Sequence, residues 1–148
     1  VEHPKIVLIQ SVKFVEEENM SFVAHGNYVI KNSDEQLVIE ASGPFNIEII
    51  EKLDQALKKL VPNFTHKTWH QIIILHAESI FTPEAEAALC KTLKYRVDHG
   101  LAFSVVVIKT SACKVLIENQ ISRCYRILNI PYQFCKHIDE AKFKLKTL

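Results

Sequence analysis

Three glycines among 148 residues are too few for a phosphate-cradling loop of the usual kind. Neither GxGxxG nor GxxxxGK[ST] occurs, and both need glycine where backbone N–H groups close on an anion. That argues against a nucleotide-binding enzyme. GxSxG, the sharp turn that raises a nucleophilic serine, is missing, as is HExxH, which sets two imidazoles on one helical face for zinc. Cys90, Cys113, Cys124 and Cys135 form no CxxC pair, and each sits inside an apolar pattern. They read as reduced thiols used as small core hydrophobes in a reducing compartment, which places the chain in the cytoplasm. Charge of one sign is also lacking. The formal net charge is +1, so no global field draws the chain to nucleic acid or to an anionic membrane. No apolar run approaches the roughly 18 residues that span a bilayer. The opening VEHPKIVLIQ has no basic segment leading into a long apolar stretch and a small-residue cleavage site, so no signal peptide is expected.

What is present is an ordinary globular balance, with 48% hydrophobic and 24% charged residues. This length suits one domain, 1–148, with a core large enough to need neither disulfide nor metal. KIVLIQ (5–10) and VKFV (12–15) read as strand, broken by the acids at 16–18. SFVAHGNYVI (21–30) is strand-like, with Gly26 at a bend. KNSDEQ (31–36) is a turn and LVIEAS (37–42) a strand, so 27–42 reads as a hairpin whose loop is longer than the tightest type. Asn46 is a good N-cap, and Ile49, Ile50, Leu53, Ala56, Leu57 and Leu60 follow at helical spacing up to Pro62. VPNFTHKTWH is a connection. QIIILHA (71–77) is a central strand covered on both faces.

The next helix runs from Pro83 to about His99, with Ala85, Ala88, Leu89, Leu93 and Val97 inward and Gly100 as its stop. FSVVVIK (103–109) is a second buried strand. Ser111 caps a third helix with Val115, Leu116, Ile121, Cys124 and Leu128 as core candidates. YQFCKH (132–137) reads as an edge strand and Asp139 as the cap of a last short helix. This alternation predicts an α/β fold: a mixed, mostly parallel central sheet with about four helices and an N-terminal β extension. In such sheets function gathers beyond the C-terminal ends of strands, and strand 71–77 ends at SIFTPEAEAAL (79–89).

Chemistry-bearing residues are sparse. His66, His70 and His76 are the one histidine grouping, but 70 and 76 fall at opposite ends of one strand, too far apart for a shared ion. No metal and no cofactor is expected. Lys52, Lys58, Lys59, Lys91, Lys94 and Arg96 alternate with acids and read as solvated helix faces. Lys136, Lys142, Lys144 and Lys146, with Arg123 and Arg126, thicken the charge toward the C-terminus without exceeding an ordinary tail.

From about residue 26 onward the order of elements resembles the STAS domain, shared by anti-sigma-factor antagonists and the cytoplasmic ends of sulfate transporters. ASGPFNIEIIEKL (41–53) stands where that family has a Gly-acid-Leu-Asp-like turn and a helix. FTPEAEAAL (81–89) stands where it has an Asp-Ser-Ser-Gly-Leu type loop and the next helix. HGLAFSVVVI (99–108) matches the glycine and strand that follow, and RILNIPYQFCKHIDEAKFKL (126–145) the closing helix, strand and helix. The resemblance covers roughly 120 residues by pattern and divides the chain into a 1–25 β extension and a 26–148 core. It implies a regulatory protein without catalysis.

One departure matters. Aligned on the Ala-Leu pair, the family's phosphoacceptor falls on Glu84, its glycine on Ala85 and its preceding Asp on Thr82. Thr82 and Ser79 are hydroxyls out of register. Helix initiation alone explains the stretch: Thr82 as N-cap, Pro83 at the first position, Glu84 and Glu86 complementing the dipole. Three readings follow. The first is an adaptor that binds a protein partner through Glu78, Ser79, Thr82, Pro83, Glu84 and the helix to residue 90. The second is a small-molecule or lipid-binding module of the same fold. The third is an enzyme built on His76, Glu78 and Thr82, for which no nucleophile, oxyanion or metal set is evident. KIVLIQ, an edge hazard if uncovered, is where a homodimer would pair.

Overall fold

Alternation of apolar and polar residues builds the first hairpin. β2 (Asn27–Ser33) and β3 (Gln36–Ser42) run antiparallel, with Tyr28, Ile30, Leu37, Ile39 and Ala41 buried on one face. The computed structural model describes residues 24–33, 36–109 and 112–148 and the backbone of 11–12. KIVLIQ and most of the 1–25 extension therefore lie outside the described residues, as does Ser111. β1 (Ser11–Val12) pairs antiparallel with β2. The hairpin is tighter than its composition suggests: Ser33 pairs with Gln36, leaving two residues between the strands.

From β3 onward the strands are parallel. β4 (Trp69–His76), β5 (Leu101–Ile108) and β6 (Tyr132–Cys135) follow in spatial order, giving a six-stranded sheet β1-β2-β3-β4-β5-β6. α1 (Ile47–Leu60), α2 (Pro83–Asp98) and α3 (Lys114–Ile127) connect them and share one core with one face of the sheet. α4 (Ile138–Lys146) covers the other face, where Ala141 and Leu145 meet Ile72, Ile74, Val105 and Val107. The architecture is α/β with a mixed, mostly parallel sheet and four helices.

Several assignments shift. β4 begins at Trp69, two residues before the apolar run, because the indole is buried edge-on against Phe64 and donates to the His99 carbonyl at 2.8 Å. Val115 and Leu116, taken as core, are 70% and 46% exposed; the buried stripe of α3 is Ile117, Gln120, Ile121, Cys124 and Tyr125. Asp139 lies in the first turn of α4, whose N-cap position is His137. Arg96, taken as a solvated cation, is buried on the inner side of α2 at 1% exposure. Cys124 and Cys135 are buried, and burial holds both thiols above their ordinary pKa, the state of inert core thiols.

Candidate functional site

β4 ends at His76, and Ala77 takes a left-handed conformation with φ 54°. Non-glycine residues rarely adopt that region, and where they do the surroundings must hold them there. They do so from several sides. Ser79 is fully buried: its Oγ donates to the His76 carbonyl at 2.6 Å and accepts from Gly43 N at 3.3 Å. Phe45 N donates to Ile80 O, and Thr82 N donates back to Phe45 O, so the chain after β3 and the chain after β4 run as a short parallel bridge. Gln120, from α3, clamps Phe81 at both backbone groups, accepting from Phe81 N at 3.1 Å and donating to Phe81 O at 2.8 Å. Beneath, the rings of Phe45 and Phe81 meet at 4.9 Å. Gly43 is required by this packing: a Cβ there would stand 2.7 Å from Ser79 Cα and 2.8 Å from Glu78 O.

The outer side of the same loop is open. Glu78, Thr82, Pro83 and Glu84 are exposed. Thr82 Oγ1 accepts from Ala85 N at 3.1 Å and caps α2, with Pro83 in the first turn. Thr82→Ala is expected to cost about 1 kcal/mol, lowering Tm by roughly 3 °C in thermal unfolding; an unchanged Tm would mean that the cap is not used. Glu84 lies in the first turn, where the helix dipole favours its charge, while Glu86 is taken by Arg123 of α3 through two hydrogen bonds of 2.6 and 3.0 Å. A groove of about 390 Å³ opens beside Glu84, between α1 and α2. Ile47, Ile50, Ala87 and Ala88 give it apolar lining, and Glu51, Asp54 and Glu84 set three carboxylates against Lys58 and Lys91.

Of the five residues expected at a regulatory surface, Glu78, Thr82, Pro83 and Glu84 are exposed on the outer side of the loop, and of these Glu84 lines the groove. Ser79 belongs to the scaffold beneath. The residues of the enzyme reading point to three separate partners. His76 Nε2 pairs with Glu40 on the sheet face away from α2, at 2.5 Å. Glu78 hydrogen-bonds Cys113, which raises that thiol's pKa. The Thr82 hydroxyl is used in capping. Among the described residues no three His, Cys, Asp or Glu side chains gather as a metal site, and no helix is long and apolar enough to cross a membrane. Gln120, Gly43 and Phe45, which position the loop, escaped the sequence reading. Gln120 carries one signal that would have found it, a polar residue on an apolar helical stripe at 117, 121 and 124. Comparison with protein-family models and with curated proteins finds no match.

Proposed function

We propose that the chain is a non-enzymatic regulatory or adaptor domain, similar to anti-sigma-factor antagonists, that binds a protein partner through the loop and helix around residues 78–90. The observation that supports this most is the double character of the loop. Its inner side is tied to β3, β4 and α3, while its outer side ends in exposed residues beside the α1–α2 groove. A surface held in one conformation before contact gives up little conformational entropy on binding. Alanines at 87 and 88 leave room for close approach. The carboxylates of Glu51 and Glu84 favour a partner segment that carries lysine or arginine, while Asp54 is engaged by Lys58 at 2.9 Å.

Glu84 occupies the position where the STAS resemblance places a phosphoacceptor. Its carboxylate is a fixed negative charge at the helix start, so the surface is constitutive rather than switched. Charge reversal there tests the reading. Glu84→Lys is expected to abolish retention of the partner in a pull-down while leaving the circular dichroism spectrum unchanged. Equal retention by the variant would contradict it. The alternative of a small-molecule module draws support from an apolar pocket between the sheet and the helices, but its volume of about 50 Å³ is far below the roughly 300–1,000 Å³ of usual ligand pockets.

A further inference from the structure

The α1–α2 groove has a direction. α1 and α2 each connect neighbouring parallel strands, so the two helices run the same way. On α1 the lining passes through Ile50, Glu51 and then Lys58; on α2 it passes through Glu84, Ala88 and then Lys91. Both carboxylates stand nearer the helix starts and both ammonium groups nearer the helix ends. Lys58 is balanced by Asp54 at 2.9 Å and lies over the Tyr95 ring at 5.5 Å, so the far end presents the exposed Lys91. Between the two ends the floor is apolar, with Ile50 buried and small residues at 87 and 88. Glu84 and Lys91 are two turns apart on α2, about 10 Å along its axis.

These features select the form of the occupant. The groove is walled by helices, whose backbone groups are already paired within each helix, so an extended segment finds no ladder to join. A helix satisfies its own backbone and needs only an apolar stripe, and the alanines allow it a close approach. Charge then fixes its orientation. Helices favour acids in the first turn and bases in the last, as α1 does with Glu48, Lys58 and Lys59 and α4 with Asp139, Glu140, Lys144 and Lys146. A helix of that kind sets its basic end on Glu51 and Glu84 and its acidic end on Lys91 only when it runs against α1 and α2. Its dipole then opposes theirs, which is also the favourable arrangement side by side.

We propose that the groove takes one amphipathic helix of a partner protein, antiparallel to α1 and α2, with an acid over Lys91, an apolar stripe over Ile50 and Ala88, and a lysine or arginine two turns later over Glu51 and Glu84. This rests on the partner surface proposed above and adds to it the partner's secondary structure, its direction and the spacing of its charges.

The test uses the whole chain with benzoylphenylalanine at Ala87 or at Lys94, two turns apart on the outer side of α2, and maps each crosslink on the captured partner by mass spectrometry. Crosslinks from 94 are expected about seven residues N-terminal to those from 87, within one continuous helix. The reverse order, two segments distant in sequence, or an adduct from 87 with none from 94 would overturn the antiparallel helix while leaving the partner surface in place. No adduct from 87 would overturn the surface and the helix together. Lys91→Glu gives a second readout. It is expected to weaken retention of the partner by roughly threefold or more, because it opposes the acidic end of the helix. A surface that reads basic residues alone would bind more tightly after Lys91→Glu, and that gain would contradict the proposal.

Discussion

Gly100→Ala is expected to lower Tm by roughly 6–15 °C. Gly100 ends α2 with φ 106°, donates its N–H to the Val97 carbonyl and accepts from Trp69 N at 2.9 Å. A Cβ there would stand 2.2 Å from the Lys67 carbonyl oxygen and 3.2 Å from two atoms of the Trp69 indole. Both the backbone and the space exclude a side chain. The left-handed strain costs about 1–2 kcal/mol. Forcing the 65–68 connection away from Trp69 adds about 1–3 kcal/mol as overpacking. Thermal unfolding followed by circular dichroism measures the sum. A drop under about 3 °C would show that the connection yields easily and that Gly100 is a helix stop only.

Gln120→Leu is expected to be about as harmful, by a different cause. Leucine fits the apolar stripe of α3, so packing is largely kept. What is lost is the pair of hydrogen bonds to Phe81 N and Phe81 O, in a residue only 6% exposed. A buried backbone group left unpaired costs about 1–3 kcal/mol, so the two together cost about 2–6 kcal/mol. That corresponds to a Tm lower by roughly 6–18 °C. The effect should be local first. Amide exchange at Phe81 is expected to accelerate in Gln120→Leu at temperatures where the amides of β4 and β5 stay protected. Uniform acceleration across the sheet would mean that Gln120 supports the core as a whole and does not hold the loop in particular. Gln120→Glu separates the two bonds, because a carboxylate accepts from Phe81 N but cannot donate to Phe81 O.

These two residues show what was legible in the sequence. Gly100 was, because a glycine after a helical stripe is a stop signal that needs no tertiary context. Thr82, Pro83 and Asn46 were legible for the same reason: caps are local chemistry. The strands 71–77 and 103–109 stood out as long apolar runs, and the parallel order followed from the alternation with helices. The polar interior did not. Arg96 lies eleven residues after Ala85, close to three helical turns, and so on the same inner stripe as Leu89 and Leu93. Its charge argued for solvent and its position for the core, and position won because Gln71 and Thr92 supply acceptors there. Gln71, Ser104 and Gln120 repeat the pattern, each a polar residue at an apolar-periodic place and each satisfied only by a residue distant in sequence. No local rule supplies those partners. Val115 and Leu116 fail in the opposite sense, as apolar residues on the outer side of α3. Expecting the third helix to be capped at Ser111, rather than to start at Lys114, shifted its inner stripe.

The proposed partner surface is tested most directly by position-specific crosslinking. A benzoylphenylalanine placed at Ala87, on the groove beside Glu84, is compared with one at Phe143, exposed on α4 across the sheet. The account predicts one discrete covalent adduct from position 87, lost when Glu84→Lys is added, and none of that mass from position 143. The same adduct from both positions, or an adduct at 87 that survives Glu84→Lys, would contradict it.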